Sequence, residues 1–125
     1  MGASIIRVKS KAFAIRIVRM ARYLQEAKHE FVLSRQVLKS GTSIGANIRE
    51  SRNAQSTADF INKLEIALKE SDETEYWLEI LHETDYIDKQ TFDSMITDNN
   101  ELTAMLTSII KTTKGKTKIT INKIN

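Results

Sequence analysis

The chain has 125 residues, enough for one domain with its own core, and its lack of cysteine and proline excludes disulfides, thiolate metal sites and a cysteine nucleophile. Net charge is only +3 but unevenly placed: residues 1–52 carry 11 Lys/Arg against 3 Asp/Glu, residues 53–110 carry 3 against 13, and residues 111–125 carry 5 against none. That split fits a basic half packed beside an acidic half, charge-matched subunit contacts, or a basic face for nucleic acid.

Lys, Glu, Ala, Leu and Ile abound, which predicts an all-α chain. A first helix is predicted over about residues 4–27, where Ile6, Phe13, Ile17, Met20 and Leu24 recur at helical spacing. Val8 and Ile15 fall on its opposite face, flanked by Lys11, Arg19 and Arg22.

A second helix is predicted over about residues 34–52. Val37, Gly41, Ile44, Gly45 and Ile48 share one face, so both glycines of SGTSIGANIRE lie in the apolar stripe. The spacing Gly41-x-x-x-Gly45 lets two helix backbones approach, a geometry described for membrane helices. A glycine inside a helix costs about 1 kcal/mol relative to alanine, so something large is expected to pack there. A phosphate loop would need a preceding strand, a longer glycine spacing and a lysine, and this stretch has none of them. Arg35, Lys39 and Arg49 occupy the outer face, free of large apolar residues, and are the candidate nucleic-acid contacts.

The third helix, about residues 56–82, opens on the capping sequence Ser56-Thr57-Ala58-Asp59. Its core stripe is Phe60, Leu64, Ala67, Leu68, Ser71 and Leu78. Ile66, Trp77 and Ile80 lie away from that stripe, among Asp59, Glu70 and Glu73. The fourth helix, about residues 89–114, is capped by Asp88, with Ile87 and Phe92 at hydrophobic-staple positions. Phe92, Met95, Asn99, Leu102, Leu106 and Ile109 form its stripe, which Asn99 interrupts as a register-setting or edge polar residue. Gly115 reads as a helix terminator. The basic tail KTKITINKIN alternates polar and apolar residues, with Ile119 and Ile121 on one side, and reads as unfolded or as a strand on a partner. Residues 1–114 are therefore expected to form one antiparallel up-down four-helix bundle, and residues 115–125 a basic tail.

From about Ile6 to Lys114 the chain resembles the four-helix-bundle proteins encoded in intervening sequences of large-subunit ribosomal RNA genes. The stretches SGTSIGANIRES and ALKESDETEYWLEIL carry the resemblance most specifically. The accessory protein of diversity-generating retroelements belongs to the same group. Glu75 stands where the family pattern usually has an apolar residue. The resemblance implies a homopentameric ring and no catalytic residues. For the retroelement member it also implies RNA or DNA binding and a reverse transcriptase partner.

The two outer apolar sets carry opposite surrounding charge. The face of Val8, Lys11, Ile15, Arg19 and Arg22 is expected to meet that of Ile66, Glu73, Trp77 and Ile80 on a second copy. Such a contact joins different surfaces, so it closes into a ring or runs on as a filament. Two rival readings stand beside a nucleic-acid scaffold: a protein-interaction ring without nucleic-acid affinity, and a di-iron carboxylate enzyme. The latter draws on Glu26-x-x-His29 and Glu79-x-x-His82, yet both pairs fall at predicted helix ends and Glu26 projects outward. No cofactor, metal or catalytic residue is assigned. The N-terminus lacks an apolar signal core, Ile6 replaces the Ser or Thr of a myristoylation motif, and no apolar run approaches the roughly 20 residues that span a bilayer. A cytoplasmic location without membrane contact is the expectation.

Overall fold

Apolar residues three and four apart give each helix one stripe to hide, and four such stripes close around a common centre. The computed structural model describes residues 2–124, with side chains described over 5–118. Its four helices are α1 (Gly2–Lys28), α2 (Leu33–Ser51), α3 (Thr57–Glu83) and α4 (Lys89–Ile124), and no strand occurs among the described residues. Short connections make sequential helices antiparallel, and α1 closes the bundle against α4 along a sparser seam than the others.

The centre holds Ile6, Phe13, Ile17 and Leu24 of α1, Val37, Ile44 and Ile48 of α2, Leu64, Leu78 and Leu81 of α3, and Met95, Leu102 and Leu106 of α4. Burying one such side chain fully stabilises the fold by about 1.5–3 kcal/mol. Phe60, Leu68, Phe92 and Ile109 reach only the edge of this core, while Leu81 and Ile110 take inner places. Asn99 is fully buried rather than at an edge. It donates from Nδ2 to the Ser71 carbonyl and accepts at Oδ1 from the Ser71 hydroxyl, each at 3.0 Å. One buried amide thereby ties the register of α4 to that of α3, because a slip would leave it unpaired in an apolar setting. On the α2–α3 seam the Thr74 hydroxyl donates to Ser40 Oγ at 2.9 Å.

The helix ends use side chains rather than glycine. Ser56 Oγ accepts from the Asp59 N–H at 3.0 Å, and Asp88 Oδ1 from the Thr91 N–H at 2.7 Å, as the sequence leads one to expect. The start of α2 has an additional device: the buried Glu30 carboxylate accepts from the N–H groups of Val32, Leu33 and Ser34 at 3.3, 3.1 and 2.8 Å. At the end of α3, Asp85 adopts φ 68°. The Tyr86 N–H bonds the Leu81 carbonyl and the Asp85 N–H that of His82, a Schellman closure around a non-glycine residue.

The stop expected at Gly115 does not occur. A terminating glycine takes positive φ, and no glycine among the described residues does. The helical backbone of α4 runs on to Ile124, so the segment read as strand or unfolded tail continues the helix. Residues 115–118 are exposed along it. The side chains of Ile119 and Ile121 lie outside the described residues.

Candidate functional site

Each side of α1 meets a different environment, and its cations divide accordingly. Toward α4, Lys9 pairs with Glu101 at 2.7 Å and Arg16 with Asp98 at 2.5 Å, Arg16 also reaching Ser94 Oγ at 2.8 Å. Part of the charge asymmetry is thus compensated within one chain. Away from the core, Lys11, Arg19 and Arg22 are exposed and make no ion pair among the described residues. Between them stand Val8, Ile15 and Val18, exposed by 70%, 42% and 37%. The outer face of α1 thus mixes exposed apolar side chains with unpaired cations.

Toward α2, the two glycines set the helix contact. A Cβ at Gly41 would stand 2.7 Å from Ile17 Cγ1, and one at Gly45 would stand 3.3 Å from the Ser10 carbonyl oxygen. Beside Gly45 the two helices leave a groove of about 300 Å³. Arg7, Lys11, Thr42 and Arg49 line it, over a floor of Ser10, Ala14, Gly45 and Ala46. The Ser10 and Thr42 hydroxyls donate to their own helix carbonyls, at 3.2 Å to Arg7 and 2.7 Å to Leu38.

The α2 candidates Arg35, Lys39 and Arg49 are all exposed, but their surroundings differ. Arg49 joins Arg7 and Lys11 at the groove. Lys39 stands near Glu70 of α3 and draws its carboxyl acidity back toward normal, against burial and Glu73, which together leave the Glu70 pKa raised. Arg35 lies near the other end of α2, about 21 Å along the axis from Arg49 at 1.5 Å per residue.

The outer face of α3 is less open than its spacing suggests. Trp77 is half-buried against the core edge, and Ile66 and Ile80 are half-buried as well. The reason is that α3 is packed on both flanks, by α2 and by α4, which leaves a narrower outer strip than on α1. Glu73 is exposed and its Oε2 accepts from Trp77 Nε1 at 3.0 Å, which fixes the indole. The exposed aromatic is Tyr76, edge-on to Trp77 with ring centroids 5.0 Å apart.

At the far end of the bundle a larger groove, about 690 Å³, opens between α1 and the α3–α4 turn, lined by Arg16, Arg19, Tyr23, Asp85, Tyr86 and Met95 among others. Neither it nor the Arg7–Lys11–Arg49 grouping was singled out from the sequence. The available signal was the four-residue spacing of Arg7 and Lys11 on the flank of the small residues Ser10 and Ala14. The pairs Glu26/His29 and Glu79/His82 do not converge inward. Glu26 and His29 are exposed, with His29 in a turn at φ 53°, and His82 stacks on Phe92 at 4.7 Å. No group of three or more His, Cys, Asp or Glu positioned for a metal ion occurs among the described residues. No helix among them is long and apolar enough to cross a membrane.

These features define an all-α antiparallel bundle with two unlike exposed faces, one apolar and cationic, one acidic. The chain belongs to the 23S rRNA-intervening sequence protein family, whose model matches residues 3–108. It is also similar, at 54% identity and a TM-score of 0.88, to the crystal structure of a protein of unknown function from the S23 ribosomal protein family of Bacteroides thetaiotaomicron, over 89% of this chain and 99% of that one. No protein with a curated description matches.

Proposed function

We propose that this protein is a non-enzymatic scaffold that assembles with copies of itself and binds nucleic acid on its basic surface. The observation that carries the reading is the outer face of α1, where Val8 is 70% exposed and Ile15 42% beside the unpaired Lys11, Arg19 and Arg22. Apolar side chains in a row, bordered by one sign of charge, form a surface that gains from a partner of opposite charge. The acidic strip of α3, with Glu73 beside Tyr76, Trp77, Ile66 and Ile80, has that charge and apolar content on every copy. A contact between two different surfaces propagates, and the family resemblance supplies closure at five.

In such a ring the exposed Arg35, Lys39 and Arg49 would repeat at regular intervals and add to the field that phosphates experience. Ile15→Asp should shift the light-scattering mass toward monomer while leaving the helical circular dichroism intact. An unchanged mass removes the α1 interface. Filter binding of RNA over a salt series tests the other half. No retention at low salt leaves a ring that binds only protein partners.

A further inference from the structure

We infer that the groove between α1 and α2 is a phosphodiester-binding subsite, gripped by Arg49 and Lys11 and independent of base sequence. The inference rests on the nucleic-acid reading above and locates it. Its first support is the lining. Arg7, Lys11 and Arg49 converge on one cavity of about 300 Å³, and no carboxylate is among the residues that line it. Some cations of the same helices are answered by acids, Lys9 by Glu101 and Arg16 by Asp98. Lys11 and Arg49 have no such answer among the described residues. Cations that line one groove without a counter-charge raise its positive potential, and an anion bound there relieves it.

The floor supplies the second support. Gly45, Ala46, Ser10 and Ala14 bring only small groups to the groove, so a ligand can descend to the level of the helix backbones. The size is at the low end for small-ligand sites, which run from about 300 to 1,000 Å³, and suits a phosphate with its sugar rather than an extended base stack. No aromatic lines the groove, so nothing there stacks on a base. The Thr42 hydroxyl has its proton committed to the Leu38 carbonyl and presents lone pairs to the groove. The grip therefore falls to the guanidinium and ammonium groups, which carry no base information. Lys11 also borders the outer apolar strip with Ile15, so in an assembled ring it is shared with the subunit seam and Arg49 carries the larger part of the grip.

The test is a fluorescence anisotropy titration of the full chain with a short fluorescein-labelled RNA duplex, repeated across a salt series. Arg49→Gln is expected to weaken binding about tenfold at low salt and to lower the salt slope by about one, while Arg49→Lys retains most of the affinity. Ala46→Glu, which puts a carboxylate at the groove without removing a cation, should weaken binding similarly. Lys89→Gln removes a cation that pairs with Asp93 at the opposite end of the bundle and should change little. Light scattering checks that the variants keep the wild-type assembly. Two duplexes of unrelated sequence should bind alike. Equal losses from Arg49→Gln and Lys89→Gln, or a marked sequence preference, overturn the subsite while the nucleic-acid reading survives. A wild-type protein that binds no RNA at low salt overturns both.

Discussion

Ile17 occupies the space that a side chain at residue 41 would need. A Cβ on Gly41 would lie 2.7 Å from its Cγ1 and 2.9 Å from both Cγ2 and Cδ1. Ile17 is fully buried and β-branched, so it has few other rotamers to take. The glycine stripe of α2 is therefore a seat for one particular side chain of α1.

Replacing these glycines should separate two effects. Alanine raises helix propensity by about 1 kcal/mol at either site. At Gly41 that gain is opposed by overpacking against Ile17, which costs about 1–3 kcal/mol, so Gly41→Ala should lower the urea midpoint. At Gly45 the nearest atom is the Ser10 carbonyl oxygen at 3.3 Å, a milder contact, and Gly45→Ala should be close to neutral. A Gly41→Ala protein more stable than wild type would contradict the tight seat.

Glu30 closes the start of α2 by accepting from three successive N–H groups. Glu30→Ala leaves these donors without their carboxylate and should destabilise the fold by about 1–3 kcal/mol in urea unfolding. Amide exchange should quicken first at Leu33 and Ser34. Protection unchanged at both residues would show that another group, or water, caps this end equally well.

Two carboxyls make opposite contributions as pH changes. The Thr91 backbone N–H holds the Asp88 pKa below its ordinary value of 3.8, so the stabilisation by Asp88 is present above that value and is lost as pH falls through the depressed one. Burial first, then Glu73, pushes the Glu70 pKa above its ordinary 4.5. Ionised Glu70 therefore opposes folding at neutral pH, and this penalty disappears below 4.5, where the folded and unfolded chains are both protonated. Glu70→Gln should give a small gain in melting temperature at pH 7 that shrinks toward zero on acidification. Asp88→Ala should show its deficit at pH 7 and approach wild type in acid. Curves that stay parallel across the range would rule out both assignments.

Helix ends show where local reasoning works and where it stops. Ser56 and Asp88 announce themselves because each cap bonds an N–H three residues on, within sight of any sequence window. Glu30 escaped notice because a carboxylate before a helix is common, and only burial reveals that this one serves three donors. Glycine misled in the opposite direction. With so few in the chain, Gly115 invited assignment as a stop, but positive φ falls to His29 and Asp85 instead. Trp77 shows a related limit: helical phase places the indole on the outer face of α3 without saying how far neighbouring helices wrap around it, and there it is half-buried.

What the residues determined by themselves is the local periodic part: four amphipathic helices, the stripe each buries, and two of their caps. Three- and four-residue spacing fixes which side chains share a face, and hydrophobic burial does the rest. What waited for the tertiary structure is the pairing of charges across helices. Arg16 meets Asp98 and Lys39 stands near Glu70, while Arg49 gathers with Arg7 and Lys11 around a groove free of acids. Those neighbours are set by helix azimuth and by the close approach at Gly41 and Gly45, which bring distant residues together at separations where Coulomb energy is large.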